Sequence, residues 1–459
     1  MKKIKSVKGA IMISFALLLV LLQFIYLYLL LTNSYNEILI YSGFRRRTLF
    51  VLLLMYMCIY LLISKLFGGY KIGYYRLSEI IYSQVLSLLI SNVLLIMMLL
   101  LVYKRFFWLP PLLKITAIQV ITIIIWSFLG NKMYFKLNTP DKMLLIYGDS
   151  PELLIRKMIS RPDRYNICLT IEENKSIEEI KKTAKKYNTI FLYEVDENFK
   201  TEIIKFCYEK KKQLYIAPKV SDIIVSHHET VDLFDTPIFV YNNKGLSTEQ
   251  RVLKRLLDLI IIIPASIILS PFMLITALCI KLYDGGPVFF KQKRLTKNAK
   301  EFYVYKFRSM KVDAEKDGKA RLATVNDDRI TPVGKVIRAI RFDELPQIIN
   351  ILKGDMSIVG PRPERPEIAE EYYKVMPEFE YRLKVKAGLT GYAQILGKYN
   401  TSPIDKVKLD LIYIQNYSFL LDLKLILMTI KILFMAESTE GIQEGDTLAS
   451  DILKKNNES

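Results

Sequence analysis

Apolar residues fall in three different rhythms along this chain of 459 residues. In the first third they run unbroken. Gly9 to Thr32, Thr48 to Ser64, Ile80 to Tyr103 and Ile115 to Asn131 carry no charged side chain. About 20 such residues cross a bilayer as a helix. The pattern therefore predicts four spans, the shorter two extended by flanking aromatic and basic residues at the interface. The basic start, Met1-Lys2-Lys3, does not make a signal peptide, because the apolar run is too long and no small-residue cleavage site follows.

From Lys142 the rhythm shortens. Met143 to Tyr147, Tyr165 to Ile171, Thr189 to Tyr193 and Gln213 to Ala217 alternate with charged helical stretches such as Ser176 to Lys186 and Asn198 to Lys211. Strands alternating with helices predict a small parallel α/β domain. Its first turn reads Gly148-Asp149-Ser150, but Ser150 and Leu153 stand where a dinucleotide fingerprint needs glycine. The domain is expected to be Rossmann-like and degenerate, with a structural or regulatory role favoured over an anion held at the helix N-terminus.

The third rhythm is Leu259 to Ile280, uncharged but interrupted by Pro264 and by Ser270-Pro271. A proline inside a helix removes a hydrogen bond and bends or breaks it. Composition alone allows a fifth, kinked span or a helix that turns at Ser270-Pro271 and leaves by the face it entered. Arg251, Lys254 and Arg255 precede it, and Lys281, Lys291, Lys293 and Arg294 follow. Positive charge on both flanks favours the re-entrant course. Four preceding spans would leave the N-terminus and all that follows them cytoplasmic, although Arg45, Arg46 and Arg47 would then lie outside.

The expected organisation is thus a membrane α-helical N-terminal domain over 1–135 and a Rossmann-like α/β domain over 136–245. A C-terminal α-rich monotopic catalytic domain follows over 246–436, with its re-entrant helix at about 254–281, and a polar tail occupies 437–459.

Composition narrows the chemistry. The net charge of +19 calls for an acidic partner, and the basic blocks beside membrane segments favour anionic lipid or phosphorylated substrate over nucleic acid. Four scattered cysteines and two histidines disfavour a disulfide framework and a transition-metal centre, leaving a hard cation held by carboxylates and phosphate.

Candidate chemistry lies beyond the broken helix. Lys306-Phe307-Arg308-Ser309-Met310 sets cations at alternate positions, so a strand would aim both at one face. Arg338 and Arg341 lead into Phe342-Asp343-Glu344-Leu345-Pro346-Gln347. Asp343 fits the N-cap of a helix over Ile348 to Leu352, or a carboxylate pair in which one member is a nucleophile and the other holds a divalent cation. Both readings can hold together. Lys353-Gly354-Asp355 leads to Gly360-Pro361-Arg362-Pro363, where two prolines make a rigid mount for a phosphate-gripping guanidinium. Gly388-Leu389-Thr390-Gly391 is turn-rich and suited to close approach to a ligand. Leu409 to Met435 is amphipathic, with Asp410, Asp422, Lys424 and Lys431 at polar positions, and is expected to lie on the membrane surface.

The order and spacing of these motifs from Leu253 to Phe434 resemble the bacterial sugar transferase family, the monotopic phosphoglycosyl transferases. The four spans and the degenerate domain are similar to its large subgroup, which initiates capsule and exopolysaccharide chains in the bacterial inner membrane. The resemblance implies that Asp343 is the nucleophile toward a UDP-sugar, that Glu344 with Asp343 holds Mg²⁺, and that Arg338 binds phosphate. Lys306, Arg308 and Arg362 are further phosphate candidates, with Arg341, Gln347 and Asp355 nearby in sequence. Asp410 and Tyr413 match a family Asp-x-x-Tyr pattern, in which Asp410 can be structural. Tyr392 departs from the tryptophan common there. The implied partners are a UDP-sugar (UDP-glucose or UDP-galactose before others), undecaprenyl phosphate and anionic lipid, with further copies of the chain and polysaccharide-assembly proteins beside them. Against this stand a polytopic phosphosugar transferase or a processive glycosyltransferase, which need carboxylates between many spans, and a membrane scaffold or sensor, which has no use for Asp343, Glu344 and Arg362.

Overall fold

The computed structural model describes residues 2–34, 46–103, 109–241, 245–312, 327, 329–397 and 401–433. The polar tail, Arg45 and the end of the predicted amphipathic stretch lie outside them. The chain forms two compact units, Met1–Pro218 and Lys219–Ser459.

The first unit opens with helices α1 (Lys2–Leu29), α2 (Arg46–Phe67), α3 (Leu77–Tyr103) and α4 (Pro110–Leu137). All four are long and apolar enough to cross a membrane. They pack as a bundle around Leu19, Tyr56, Tyr60, Leu88, Ile123 and Trp126, while Leu18, Leu54, Met97 and Ile125 stay on the outside. Apolar residues on both faces suit a helix that meets lipid on one side and protein on the other. Trp126 stacks on Phe15 at 5.3 Å between centroids and donates its indole N–H to the Phe15 carbonyl at 2.8 Å.

The same unit continues into β1 (Lys142–Tyr147), α5 (Glu152–Ile159), β2 (Asn166–Glu172), α6 (Ile177–Ala184), β3 (Thr189–Tyr193), α7 (Glu197–Glu209) and β4 (Gln213–Ile216). The strands form one sheet in the order β2-β1-β3-β4, every pairing parallel. Leu144, Ile146, Ile190, Leu192 and Ile203 fill the core beneath the crossover helices. An acidic side chain lies against the first turn. A Cβ on Gly148 would lie 2.5 Å from a carboxylate oxygen of Glu173, whose other oxygen accepts the Asp196 N–H at 2.8 Å.

The second unit begins with α8 (Val220–Val225), the hairpin β5 (Glu229–Leu233) and β6 (Thr236–Val240), and the 37-residue helix α9 (Thr248–Asp284). Ser247 and Gln250 cap α9 reciprocally, side chain to backbone, at 3.2 and 2.9 Å. Gly285, at φ +71°, ends it. The break expected at Ser270-Pro271 does not divide α9 into two helices: the helix runs through both prolines. Its local repair explains why. Pro271 has no N–H for the Ile267 carbonyl, and the Ser270 hydroxyl donates to that oxygen instead, at 2.8 Å.

Beyond α9 come the antiparallel pair β7 (Phe289–Leu295) and β8 (Glu301–Phe307), α10 (Pro332–Ala339), α11 (Gln347–Lys353) and β9 (Ser357–Val359). Next follow α12 (Pro366–Val375), β10 (Gly388–Thr390), α13 (Tyr392–Leu396), α14 (Pro403–Gln415) and α15 (Phe419–Leu433). Their core includes Ile351, Met356, Val359, Val407, Leu411 and Leu425. The C-terminal helices do not present their polar residues to a surface. Asp410, Asp422 and Lys431 are buried, and Arg382 and Lys254 supply counter-charges to the two aspartates that a lone amphipathic helix lacks.

Candidate active site

Asp343 and Glu344 lie in a single 3₁₀ turn, Phe342–Glu344, between α10 and α11. In such a turn residues three apart share a face. Phe342 and Leu345 take that face and pack against Ile280, Phe307 and Ile337. The alternation Phe-Asp-Glu-Leu thereby turns the two carboxylates away from the apolar patch. Arg341 enters the turn in the left-handed region, φ +56°. A non-glycine residue there is costly and collects at functional sites. Asp343 is not the N-cap of α11, since Pro346 holds that place and no side chain caps the helix.

Cations reach the pair from two directions. Lys306, near the end of β8, donates to the Glu344 carboxylate at 2.9 Å, and Arg362 donates to the same oxygen at 3.3 Å. Burial opposes ionisation of Glu344, but Lys306 and Arg362, with Arg341 behind them, overrule it and hold its pKa far below the usual carboxylate range. Asp343 moves the other way. Burial and the neighbouring Glu344 charge raise its pKa, and Lys306 and Arg338 offset this only in part. One carboxylate is a fixed anion, and its neighbour bears a charge the site does not fully stabilise. Divergent pKa values of this kind mark acid, base and nucleophile assignments in active sites.

The remaining predicted residues separate from this pair. Arg308, two positions past Lys306, pairs with Asp284 at the end of α9 instead of joining Glu344. The strand ends at Phe307, so alternation no longer governs Arg308. Gln347 is buried at the start of α11. Asp355 lies beyond the opposite end of that helix, where its carbonyl accepts the Thr296 hydroxyl at 3.0 Å. Tyr413 hydrogen-bonds Lys254 at 2.9 Å and Asp422 at 2.8 Å, and Asp410 pairs with Arg382 at 2.8 Å. Both belong to the packing of α14 and not to the carboxylate turn. The Gly388–Gly391 segment approaches the backbone of Gly360. A Cβ on Gly388 would lie 2.1 Å from the Gly360 nitrogen, and one on Gly391 would lie 2.2 Å from the Gly360 oxygen. These glycines let the parallel pair β9 and β10 close tightly where the Arg362 loop begins.

Asn350 escaped the sequence reading. Fully buried on α11, it donates to the Tyr303 carbonyl at 2.7 Å and accepts the Tyr305 N–H at 3.0 Å. It thereby ties α11 to β8, the strand that presents Lys306. The available signal was one amide inside the apolar run Ile348-Ile349-Asn350-Ile351-Leu352. Arg255 on α9 also donates to the Ile351 and Leu352 carbonyls, at 2.6 and 2.8 Å, and so satisfies the last turn of α11.

Among the described residues, no three acidic, histidine or cysteine side chains cluster into a metal cage. Asp343 and Glu344 alone fit Mg²⁺, which commonly takes one or two carboxylates and completes its shell with water and substrate phosphate.

Comparison with known proteins places this architecture. The bacterial sugar transferase family model matches residues 249–436. Over 202 residues the chain is 41% identical to the UDP-N-acetylgalactosamine-undecaprenyl-phosphate N-acetylgalactosaminephosphotransferase of Aeromonas hydrophila, covering 43% of this chain and 45% of that protein. Over 222 residues it is 40% identical to the UDP-glucose:undecaprenyl-phosphate glucose-1-phosphate transferase of Klebsiella pneumoniae, 47% of each being covered. The chain thus spans about half the length of these two relatives. The uncharacterized sugar transferase EpsL of Bacillus subtilis (strain 168) is 40% identical over 201 residues, 44% of this chain and 95% of EpsL. With one relative matched along nearly its whole length and the carboxylate turn inside the matched region, the chain belongs to the bacterial sugar transferase family.

Proposed function

We propose that the protein transfers a sugar-1-phosphate from a UDP-sugar to undecaprenyl phosphate, giving undecaprenyl-diphospho-sugar and UMP, as the first step of a capsule or exopolysaccharide. A carboxylate oxygen of Asp343 attacks the β-phosphorus of the donor, and the bond from that phosphorus to the α-phosphate oxygen breaks as UMP leaves. An oxygen of undecaprenyl phosphate then attacks the same phosphorus, and its bond to Asp343 breaks, returning the carboxylate. The observation that carries this reading is the Asp343–Glu344 turn: one ionised carboxylate clamped by Lys306 and Arg362 beside a second whose charge is incompletely stabilised. A carboxylate in that condition is a better nucleophile than one already neutralised by a salt bridge.

Arg338, Lys306 and Arg362 supply positive charge to the phosphates, since all three influence the pair electrostatically. Mg²⁺ bound at Asp343 and Glu344 would neutralise diphosphate charge during attack and departure. The named relatives act with N-acetylgalactosamine or glucose donors, and for this chain UDP-glucose and UDP-galactose are the first donors to test.

The membrane course of α9 belongs to the same reading. A straight helix of 37 residues is about 55 Å long, well beyond a hydrocarbon core of about 30 Å. Near its start, Asp258 accepts the Ile358 N–H at 3.0 Å; at its end, Asp284 pairs with Arg308. Both ends are tied to one domain, which supports a re-entrant course in which α9 bends at its prolines without breaking and keeps the catalytic residues on the cytoplasmic side, at headgroup height.

The test is UMP release from membrane fractions given Mg²⁺, undecaprenyl phosphate and a panel of UDP-sugars. Carrier-dependent UMP from one donor, lost in Asp343→Asn, is the expected result. Release of UDP, or full activity in Asp343→Asn, would overturn the covalent mechanism.

A further inference from the structure

Arg362 sits between Pro361 and Pro363, so its loop offers few amide donors and must be held by its carbonyls. Each carbonyl from 361 to 364 is taken. The Gly388 and Leu295 amides donate to Pro361 and Glu364, both at 2.9 Å. Arg294 donates to Pro363 at 3.0 Å, and Arg382 donates to the carbonyl of Arg362 itself at 2.9 Å. Arg382 is the only one of these donors that acts on the residue facing Glu344.

Arg382 is built into the interior. It is 6% exposed, lies 4.7 Å from the Phe379 ring centroid, and pairs with Asp410, which is 1% exposed. Its Nε and Nη2 both reach one Asp410 oxygen, at 3.1 and 2.8 Å. Burying such a pair needs further hydrogen bonds to be tolerable, and here a further bond goes to the Arg362 carbonyl. A continuous path runs from Asp410 on α14 through Arg382 and the Arg362 backbone to Glu344.

We propose that Arg382, fixed by Asp410, is a positioning residue that aims the Arg362 guanidinium at the carboxylate turn and thus at the donor phosphates. This rests on the reaction proposed above. A guanidinium displaced by about 1 Å forfeits on the order of a hundredfold in rate.

Removing one partner of a buried pair endangers folding, so the test uses Arg382→Met with Asp410→Leu, which keeps the interior filled and leaves no lone charge. UMP release from radiolabelled donor is measured with intact Arg362 and again with Arg362→Ala, alongside thermal unfolding in detergent. The pair variant is expected to melt within a few degrees of the native protein and to lose about a hundredfold in kcat/KM. In the Arg362→Ala background the same replacement is expected to lose less than about twofold, because residues that act through one another are not additive. Equal losses in both backgrounds, or full activity in the pair variant, would overturn the proposal. Should the pair variant fail to melt cooperatively, Arg382→Lys, which keeps the charge against Asp410, is read through the same cycle with the same criteria. A wild type that releases no UMP would overturn the proposed reaction, and this inference with it. An active wild type with additive losses overturns the inference alone.

Discussion

In the helical bundle the buried polar side chains are neutral. Gln84 accepts the Tyr60 and Ser64 hydroxyls at 2.8 and 2.9 Å and donates to the Gly69 carbonyl at 3.0 Å, while Asn92 accepts from Tyr56 at 2.7 Å. In the second unit neutral groups such as Asn350 and Ser357 are buried too, but ion pairs join them. Lys254 meets Asp422 at 2.6 Å, Arg382 meets Asp410, and Lys306 meets Glu344. Neutral amides and hydroxyls join helices in an apolar surrounding at modest gain, and charges there are expensive. A domain facing water can deliver ions to its interior in pairs, and there the same low dielectric that penalises a lone charge makes a paired one directional. The bundle uses polarity to set helix register; the transferase unit uses it to place charge against charge around one turn.

Four measurements press on that contrast. The largest effect is expected in the carboxylate turn itself, where Glu344→Gln removes the anion that orders Lys306 and Arg362; UMP release should fall about a thousandfold, with melting little changed, on the scale of losing a preorganised electrostatic group. A turnover loss under about tenfold would demote Glu344 to scaffold. Next, Lys254→Met should destabilise the second unit by about 3–5 kcal/mol, and adding Asp422→Leu should restore most of it. Denaturant unfolding in detergent reads both. In the bundle, Gln84→Leu should lower stability by only about 1 kcal/mol. Should it match Lys254→Met, the neutral and ionic interiors do not differ in kind.

The smallest effect is in the pH profile. Burial and Glu344 raise the Asp343 pKa, so the group takes up protons at a higher pH than an ordinary aspartate near about 4. In the proposed mechanism the ionised form is the nucleophile, so activity is expected to be retained above the raised pKa and lost as pH falls through it. Lys306→Met removes a cation that lowers the Asp343 pKa, and should move the acid limb of kcat/KM to higher pH. A limb that stays in place would dissociate Lys306 from Asp343.

Much of the fold was legible along the chain. Thr189 to Tyr193 is a strand with the bounds its apolar run predicts, and each of the four uncharged N-terminal runs makes up most of one of the helices α1 to α4. Local periodicity sufficed because each element buries its own face. Within the candidate site, Asp343 and Glu344 stand out in the sequence by their company of arginines. Their partners do not. Lys306 and Arg308 look equivalent on one strand, yet one meets Glu344 and the other Asp284. Asp422 and Lys431 fit the polar side of a surface helix but lie inside the domain.

By itself the sequence determined the elements, the family motifs and the residue types able to carry phosphate chemistry, since these depend on neighbours within a few positions. Tertiary structure decided which cation faces which carboxylate and that Asp410 serves Arg382. Those outcomes join residues such as Lys306 and Glu344, or Arg382 and Arg362, that are distant along the chain. Contacts of that kind are set by how buried faces pack, and one-dimensional spacing carries no information about packing.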